Sequence, residues 1–184
     1  MRKVLPWVLG AALVVGAGAV TTTIPGEDSL LDPLIVRGAA GAPVTSRSLV
    51  VTVQDAVFAD RLDVPSAEWS AEGNWLLVTV DAAAAQTEKN AVIGLATLTV
   101  DGRQFLASER PSASLLQTRL HLGTDITGTL AFELPSELRS GVGELQLTTF
   151  TAVPQLDDVI AVPIDLGDLD ATARFALESP GWTS

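Results

Sequence analysis

Short runs of alternating apolar and polar residues, separated by turn-forming residues, are the feature that most restricts the fold of this sequence. The clearest pair of runs lies within Val92 to Ser108, VIGLATLTVDGRQFLAS, on either side of Asp101-Gly102. An Asp-Gly pair between two such runs predicts a two-residue hairpin, because a type I′ turn requires positive φ at both central residues. We therefore expect one strand before Asp101 and another after Gly102.

Similar runs recur along the chain and predict strands at 48–58, 74–86, 127–135, 144–150 and 159–166. The run at 74–86 has apolar residues on both faces, which is typical of a central strand. Pro163 places the last run at an edge or a bulge. Together, about seven to nine short strands without an amphipathic helix predict an all-β protein, an immunoglobulin-like antiparallel sandwich.

The stretch from Asp60 to Gly73, DRLDVPSAEWSAEG, interrupts this pattern. It is polar, contains a proline and has no sustained period, so we interpret it as a long loop. Trp69 within it is the candidate interaction surface of the chain. An exposed Trp often anchors a binding surface. The alternative is that Trp69 folds back over the open end of the core.

The first 24 residues contain an uncharged run from Val4 to Ile24, preceded by Arg2 and Lys3. About 20 apolar residues cross a bilayer as a helix, and the two cations favour a cytoplasmic N-terminus. The sequence thus predicts a single-pass membrane anchor over 1–24, a tether over 25–33, an extracytoplasmic domain over 34–178 and a frayed tail over 179–184.

A secretory signal peptide is the second interpretation of the same segment. Ala17-Gly18-Ala19 fits a cleavage site after an apolar core, and cleavage near Ala19 would release a secreted protein. Both alternatives place the rest of the chain outside the cytoplasm. A lipid-modified cysteine and disulfides are excluded, because the sequence contains no cysteine.

Charge excludes two classes of partner. All 22 acidic residues but only 9 of the 11 basic residues follow Ile24, so the exported part carries a net charge of about −13. Without a basic patch, the chain is not expected to bind nucleic acid or anionic lipid headgroups.

Recognisable catalytic motifs are missing from the sequence. It has no nucleophile elbow, P-loop or zinc-ligand spacing, and its only histidine is His121. We therefore expect no enzyme activity, no cofactor and no metal. Two alternatives rest on carboxylates: a hydrolase and a Ca²⁺ site. The residues concerned are Asp55, Asp60, Asp63 and Asp81 for the hydrolase, and Asp165, Asp168 and Asp170 for Ca²⁺.

Several short motifs carry a resemblance to a known family. They are Gly41-Ala42-Pro43-Val44 leading into LVVTV, WLLVTV at 75–80, the hairpin LTVDGRQFLAS and FELP at 132–135. From about Leu34 to Leu166 the chain resembles a bacterial family of unknown function, made of membrane-anchored or secreted immunoglobulin-like domains. That family is similar to small secreted immunoprotective antigens. This chain departs from the family pattern at Ala82 to Ala85, where members often have an asparagine-containing turn.

The resemblance implies a fold and a location, but no reaction. We expect a membrane-anchored, extracytoplasmic binding or accessory domain whose partner is another membrane or envelope protein. The alternatives are an exported carboxylate-dependent hydrolase or carbohydrate-active domain, and a cleaved, secreted protein that is antigen-like or binds a small ligand. The partner's identity and the oligomeric state are not predicted.

Overall fold

Two β-sheets share one apolar core in the computed structural model, which describes residues 33–88, 91–149 and 158–183. The strands are β1 Leu34–Arg37, β2 Val44–Thr45, β3 Leu49–Val64, β4 Trp69–Ala84, β5 Leu95–Val100, β6 Arg103–Leu106, β7 Ile126–Leu134, β8 Val142–Thr148, β9 Asp158–Asp165, β10 Ala171–Thr172, β11 Phe175–Ala176 and β12 Gly181–Trp182. Two single-turn 3₁₀ helices span Pro65–Ala67 and Leu166–Asp168. Within the described residues eight strands have four or more residues, and the predicted all-β sandwich is confirmed.

The two sheets differ in how their edges are completed. The five-stranded sheet has the order β1-β9-β8-β5-β6. The seven-stranded sheet runs β10-β3-β4-β7-β12, with β2 and β11 also paired to β3. Most pairs are antiparallel, but β1 runs parallel to β9, and β10 and β11 run parallel to β3.

Strand β4 shows how the alternation builds the core. Leu76, Val78 and Val80 are buried in the cluster between the sheets, together with Leu130 and Phe132 of β7. Successive side chains of a strand point to opposite faces. The intervening Trp75 and Leu77 therefore face the other way, yet they are fully buried too. The predicted central position of this strand is confirmed, since β4 pairs with β3 and β7.

A second apolar cluster explains why Trp75 and Leu77 are buried. It lies on the outer side of the seven-stranded sheet, and we call it the outer cluster. Its buried members are Ala59, Leu62, Val64, Trp75, Leu77, Ala113, Ala131 and Leu177. Ala113 and Leu177 come from segments outside the long strands, and these segments cover the sheet. The seven-stranded sheet is therefore buried on both sides at this end.

The predicted loop over 60–73 is wrong. Strand β3 continues to Val64 and β4 begins at Trp69, so a 16-residue strand lies on each side of a tight connection. Glu68 closes that connection in the left-handed region with φ of 51°. The pairing of β3 and β4 shifts register between Val53 and Asp55 and again between Ala59 and Arg61. Each irregularity resets the alternation, so the sequence loses its visible period there.

The tail over 179–184 is expected from the sequence to be frayed, and the structure differs. Trp182 pairs with Ile126 and Gly181 with Thr127, which adds β12 to the edge of β7. The N–H of Thr183 also donates to the carbonyl of Asp125 at 3.1 Å. The physical reason is the open edge of β7, whose backbone groups gain partners from the tail.

The hairpin at Asp101-Gly102 is confirmed. Val100 pairs with Arg103, and φ is 49° at Asp101 and 76° at Gly102. Pro163 pairs with Glu144 on the β8 side of β9, whereas the register with β1 ends at Ala161. The proline thus lies where β9 is locally an edge, as predicted.

The predicted anchor over 1–24 and nearly all of the tether over 25–33 lie outside the described residues. No helix in the described part of the chain is long and apolar enough to span a membrane.

Candidate interaction surface

Trp69 is the first residue of β4 and is half-buried, rather than part of a loop. Its ring meets Trp75 edge-on, with centroids 6.4 Å apart and planes at 81°. The guanidinium carbon of Arg110 lies 5.5 Å from the centroid of the Trp69 ring. Trp69 therefore packs against the outer cluster from one side and carries an arginine nearby. An interaction role for its remaining exposed surface stays a prediction.

Ion pairs surround Trp69 and compensate one another. Arg110 pairs with Glu133 at 3.0 Å, and Asp63 pairs with both Arg61 at 2.8 Å and Arg174 at 2.9 Å. The hydrogen bond to Asp63, with the charge of that carboxylate, raises the pKa of Arg61. A surface groove of about 220 Å³ adjoins these pairs, and Trp69 forms part of its lining. The ion pairs and the groove around Trp69 do not indicate a particular ligand.

The acids considered for a hydrolase are held by separate partners. Asp81 accepts hydrogen bonds from Thr127 Oγ1 and Gln54 Nε2, each at 2.5 Å. Asp60 pairs with Arg139 at 2.6 Å. Asp63 lies between its two arginines, and Asp55 stands opposite Thr79 in the ladder. The contacts of Asp60, Asp63 and Asp81 give these three acids structural partners.

The acidic segment considered for Ca²⁺ forms a capped turn. The Asp165 side chain accepts from the N–H of Gly167 at 3.0 Å, and the carbonyl of Asp170 accepts from the N–H of Phe58 at 2.9 Å. This turn attaches β10 to β3. No group of three or more His, Asp or Glu in residues 33–88, 91–149 and 158–183 is arranged to hold a metal ion.

His121 belongs to a surface cluster near the C-terminus. Its Nδ1 lies 3.5 Å from Glu88 Oε1, and its ring centroid lies 5.3 Å from that of Trp182. Glu88 Oε1 also accepts from the N–H of Leu122 at 3.1 Å. That backbone hydrogen bond, followed by the nearby His121, lowers the pKa of Glu88. These contacts indicate a structural role for His121, in which it connects Glu88 with Trp182 at the surface.

The outer side of the five-stranded sheet is the surface that the sequence did not single out. Four exposed aliphatic side chains project from it, and we call this surface the open face. They are Ile35 at 38% exposed, Leu95 at 43%, Leu106 at 64% and Val142 at 64%. The alternate residues of the same strands, such as Leu98 and Leu145, point into the core. This side therefore presents aliphatic groups to solvent, in contrast to the outer cluster of the other sheet.

The open face also carries little charge. Between the aliphatic residues lie uncharged side chains: Thr97, Thr99, Gln104, Gln146 and Thr148. Near its middle, Glu144 accepts from Gln146 at 2.7 Å and pairs with Arg37 at 3.6 Å. Leu95 and Leu106 lie close together on neighbouring strands, whereas Val142 lies at the other end of β8, opposite Asp165. Exposed apolar groups that lie together are typical of interaction sites. No signal in the sequence could have found this face, because alternation does not show which side of a sheet lacks a covering layer.

Comparisons with known proteins give only distant structural likenesses. No family model and no curated protein matches the chain. A candidate lipoprotein from Staphylococcus aureus subsp. aureus NCTC 8325 is similar, with a TM-score of 0.49 and 11% identity over 76% of this chain and 97% of that one. The yjhA protein from Bacillus subtilis has a TM-score of 0.45 and 14% identity over 67% and 98% of the two chains.

A third solved structure is an uncharacterised β-sandwich protein from Clostridium difficile 630. Its TM-score is 0.40, with 10% identity over 71% of this chain and 95% of that one. All three neighbours are bacterial, and none is described as an immunoprotective antigen. Likenesses of this size carry no inference about what the chain binds or does.

Proposed function

We propose that this chain is a membrane-tethered, extracytoplasmic domain of the immunoglobulin-like type that acts by binding another membrane or envelope protein, without catalysis. The observation that carries the proposal is the open face. It combines four exposed aliphatic side chains with few charged groups, which are the Arg37–Glu144 ion pair and Asp165. The exported part as a whole carries about −13.

The contrast between this face and the remaining surface favours binding to a protein. Strong negative charge keeps most of a surface hydrated and opposes nonspecific contact. Burying each exposed aliphatic side chain against a partner removes it from water, at roughly 25 cal/mol per Å² of apolar area. A partner that covers Leu95 and Leu106 therefore gains most of its affinity from this one side of the domain.

The proposed anchor limits where the partner lies. A tether of nine residues, 25–33, spans at most about 30 Å, so the domain stays near the bilayer. Confinement raises the effective concentration of a membrane partner, and a weak interface then suffices. Cleavage near Ala19 remains the alternative, and it would turn the same domain into a secreted binding protein.

Site-specific photo-cross-linking in the cells that make the protein tests the proposal. A photoreactive residue replaces Leu106 or Val142 on the open face, or Leu122 as the control. Leu122 is also an exposed aliphatic residue, at 52%, but it bridges to Ala84 of the other sheet.

We expect the same protein adduct from both open-face positions and none from position 122. Adding Leu95→Asp should reduce the adduct about tenfold or more, because it places a charge in the contact. Equal adducts from all three positions, or no adduct from the open face, would reject the proposal.

A further inference from the structure

Strand β6 has backbone groups that point away from its sheet. Val100 pairs with Arg103 and Leu98 with Phe105, and the N–H of Ala107 donates to the carbonyl of Ala96 at 2.9 Å. In an antiparallel ladder, alternate residues bond to the same neighbour. Residues 103, 105 and 107 therefore bond to β5. The N–H and C=O groups of Gln104 and Leu106 face the other side.

The edges of the seven-stranded sheet are occupied, unlike that of β6. On one side β3 is paired with β2, β10 and β11. On the other, β7 accepts hydrogen bonds from Ser108 at 2.7 Å and Leu115 at 3.0 Å, and it pairs with β12. Among the described residues, no strand pairs with Gln104 or Leu106 on the outer side of β6, and the next outward N–H, that of Ser108, is the one that bonds to β7.

Strand β6 has two of the usual protections of an edge, its length of only four residues and the charge of Arg103, but it lacks others. Its sequence, Arg-Gln-Phe-Leu, contains no proline and no lysine, and its register with β5 is continuous. Natural proteins commonly block exposed edges with such residues or with bulges, because an open edge pairs readily with another strand. An edge without a proline or a bulge, beside exposed aliphatic side chains, is a suitable place for strand addition.

We propose that the partner docks by adding an extended segment to β6. This inference rests on the proposed function and specifies how the partner engages the open face. The added strand would bond to the backbone of Gln104 and Leu106. Its alternate side chains would lie beside Gln104 and Leu106, extending the surface of the open face by one strand.

The chemistry of β6 indicates what kind of segment fits. Arg103 lies on the same side of the strand as Phe105, and its guanidinium carbon is 5.3 Å from the centroid of that ring. It has no ion pair within residues 33–88, 91–149 and 158–183. The fitting segment carries aliphatic residues at alternate positions and an acidic residue that reaches Arg103.

A second copy of this chain fits less well than a different protein. Strand β6 contains no acidic residue, so a symmetric pair of β6 strands would leave both Arg103 side chains without a counter-charge. Two exported parts would also bring together about −13 each, which opposes their association. The occupant is therefore a segment of another protein.

Backbone-specific variants test the strand addition. The segment found in the cross-linked adduct is synthesised as a peptide, and its affinity for the full chain is measured by calorimetry. Gln104→Pro removes the outward N–H, and proline is tolerated on an edge strand whose N–H faces solvent. Gln104→Ala is the matched control, because it removes the side chain and keeps the N–H.

We expect Gln104→Pro to weaken binding about tenfold and Gln104→Ala about twofold or less. Amide hydrogen exchange of the unmodified chain gives an independent readout. The amides of Gln104 and Leu106 should exchange about tenfold more slowly with the peptide bound. This second measurement decides the matter even if Gln104→Pro does not fold.

Each contrary result has a separate meaning. In one such result, Leu95→Asp abolishes the adduct, Gln104→Pro binds the peptide as well as Gln104→Ala does, and the amides of Gln104 and Leu106 stay unprotected. The partner then covers the open face without adding a strand. The inference is then wrong and the proposed function stands. If Leu95→Asp leaves the adduct unchanged, both fail. An adduct between two copies of this chain also overturns the inference.

Discussion

Phe132 is the residue whose environment follows most directly from the alternation of its strand. It is fully buried between the sheets, while the next residue, Glu133, is 48% exposed and paired with Arg110. Phe132→Ala should lower the free energy of unfolding by about 3–5 kcal/mol, because it removes buried apolar area and leaves a cavity. Glu133→Ala is the matched control and should cost about 1 kcal/mol or less. Urea titration measures both, and equal costs would mean that this register is wrong.

Glu88 gives the domain a pH dependence with a defined sign. Its folded pKa lies below its ordinary value of 4.5, chiefly because its carboxylate accepts the N–H of Leu122 and secondarily because of His121. A lowered carboxyl pKa contributes stability above the unfolded pKa, and that contribution is lost as pH falls through the folded value. Below pH 4.5, the wild type should therefore lose more stability than Glu88→Gln. Unfolding titrations across that range measure the difference; parallel curves would contradict it.

The β5–β6 hairpin depends on one conformation at its turn. Gly102 has φ of 76°, and a Cβ at that position would meet no atom within 4 Å. Gly102→Val should still cost about 1–2 kcal/mol or more, because an L-residue, above all a β-branched one, is strained in the left-handed region. Asp101→Asn should be nearly neutral, since Asn tolerates positive φ. Thermal unfolding compares the two, and equal stability would argue against the tight turn.

Trp69 links the β3–β4 hairpin to the outer cluster through its edge-on contact with Trp75. Trp69→Ala should lower the free energy of unfolding by about 1–2 kcal/mol, and Trp69→Phe should recover part of it. Photo-cross-linking through position 106 should be unaffected in both variants. If Trp69→Ala instead leaves stability unchanged and abolishes the adduct, Trp69 is an anchor for the partner.

The elements that the sequence predicted are those with uninterrupted local signals. The Asp101-Gly102 pair predicted its turn because both positions require positive φ. The alternation around Phe132 predicted which side of the strand is buried. The β3–β4 hairpin was missed because the register shift between Ala59 and Arg61 interrupts the alternation, and polar residues such as Arg61 and Asp63 follow it inside the strand. Their partners, Glu72 and Ser70, lie in the neighbouring strand, so the pairing is visible only in three dimensions. Strand β12 was missed because two residues carry no period; the free edge of β7 determines their conformation.

The open face could not be predicted from the sequence for a related reason. In the sequence, the open-face residues Leu95, Leu106 and Val142 look like ordinary strand residues. Their exposure depends on which sheet receives covering segments, and Leu177 and Ala113 cover the other one. Trp69 attracted attention because of its residue type, and it packs against that covered side.

At the scale of the whole molecule, both apolar clusters consist of residues between Val44 and Leu177. Replacing residues 1–24 by an efficiently cleaved signal peptide should therefore release a domain that stays folded, with a β-dominated far-ultraviolet spectrum. Its adduct with the partner in cells should fall, because confinement at the membrane is lost. Mass spectrometry of the natural protein tests the premise, since a mature N-terminus at Val20 would reject the anchor. An undiminished adduct from the released domain would show that the tether is dispensable.

The pairing of β1 with β9 sets the order in which the chain can fold. Leu34 is matched to Asp158 and Arg37 to Ala161. Strand β1 therefore cannot pair until β9, about 120 residues later in the chain, has been synthesised. Contacts this distant in sequence slow folding, because a long loop must close before any of them forms. Leu177, which completes the outer cluster, is made later still. During synthesis the growing chain thus has no complete sandwich to collapse into until its last strands emerge. Such a delay suits the proposed export, because a chain that has not completed its fold can still pass through a narrow channel.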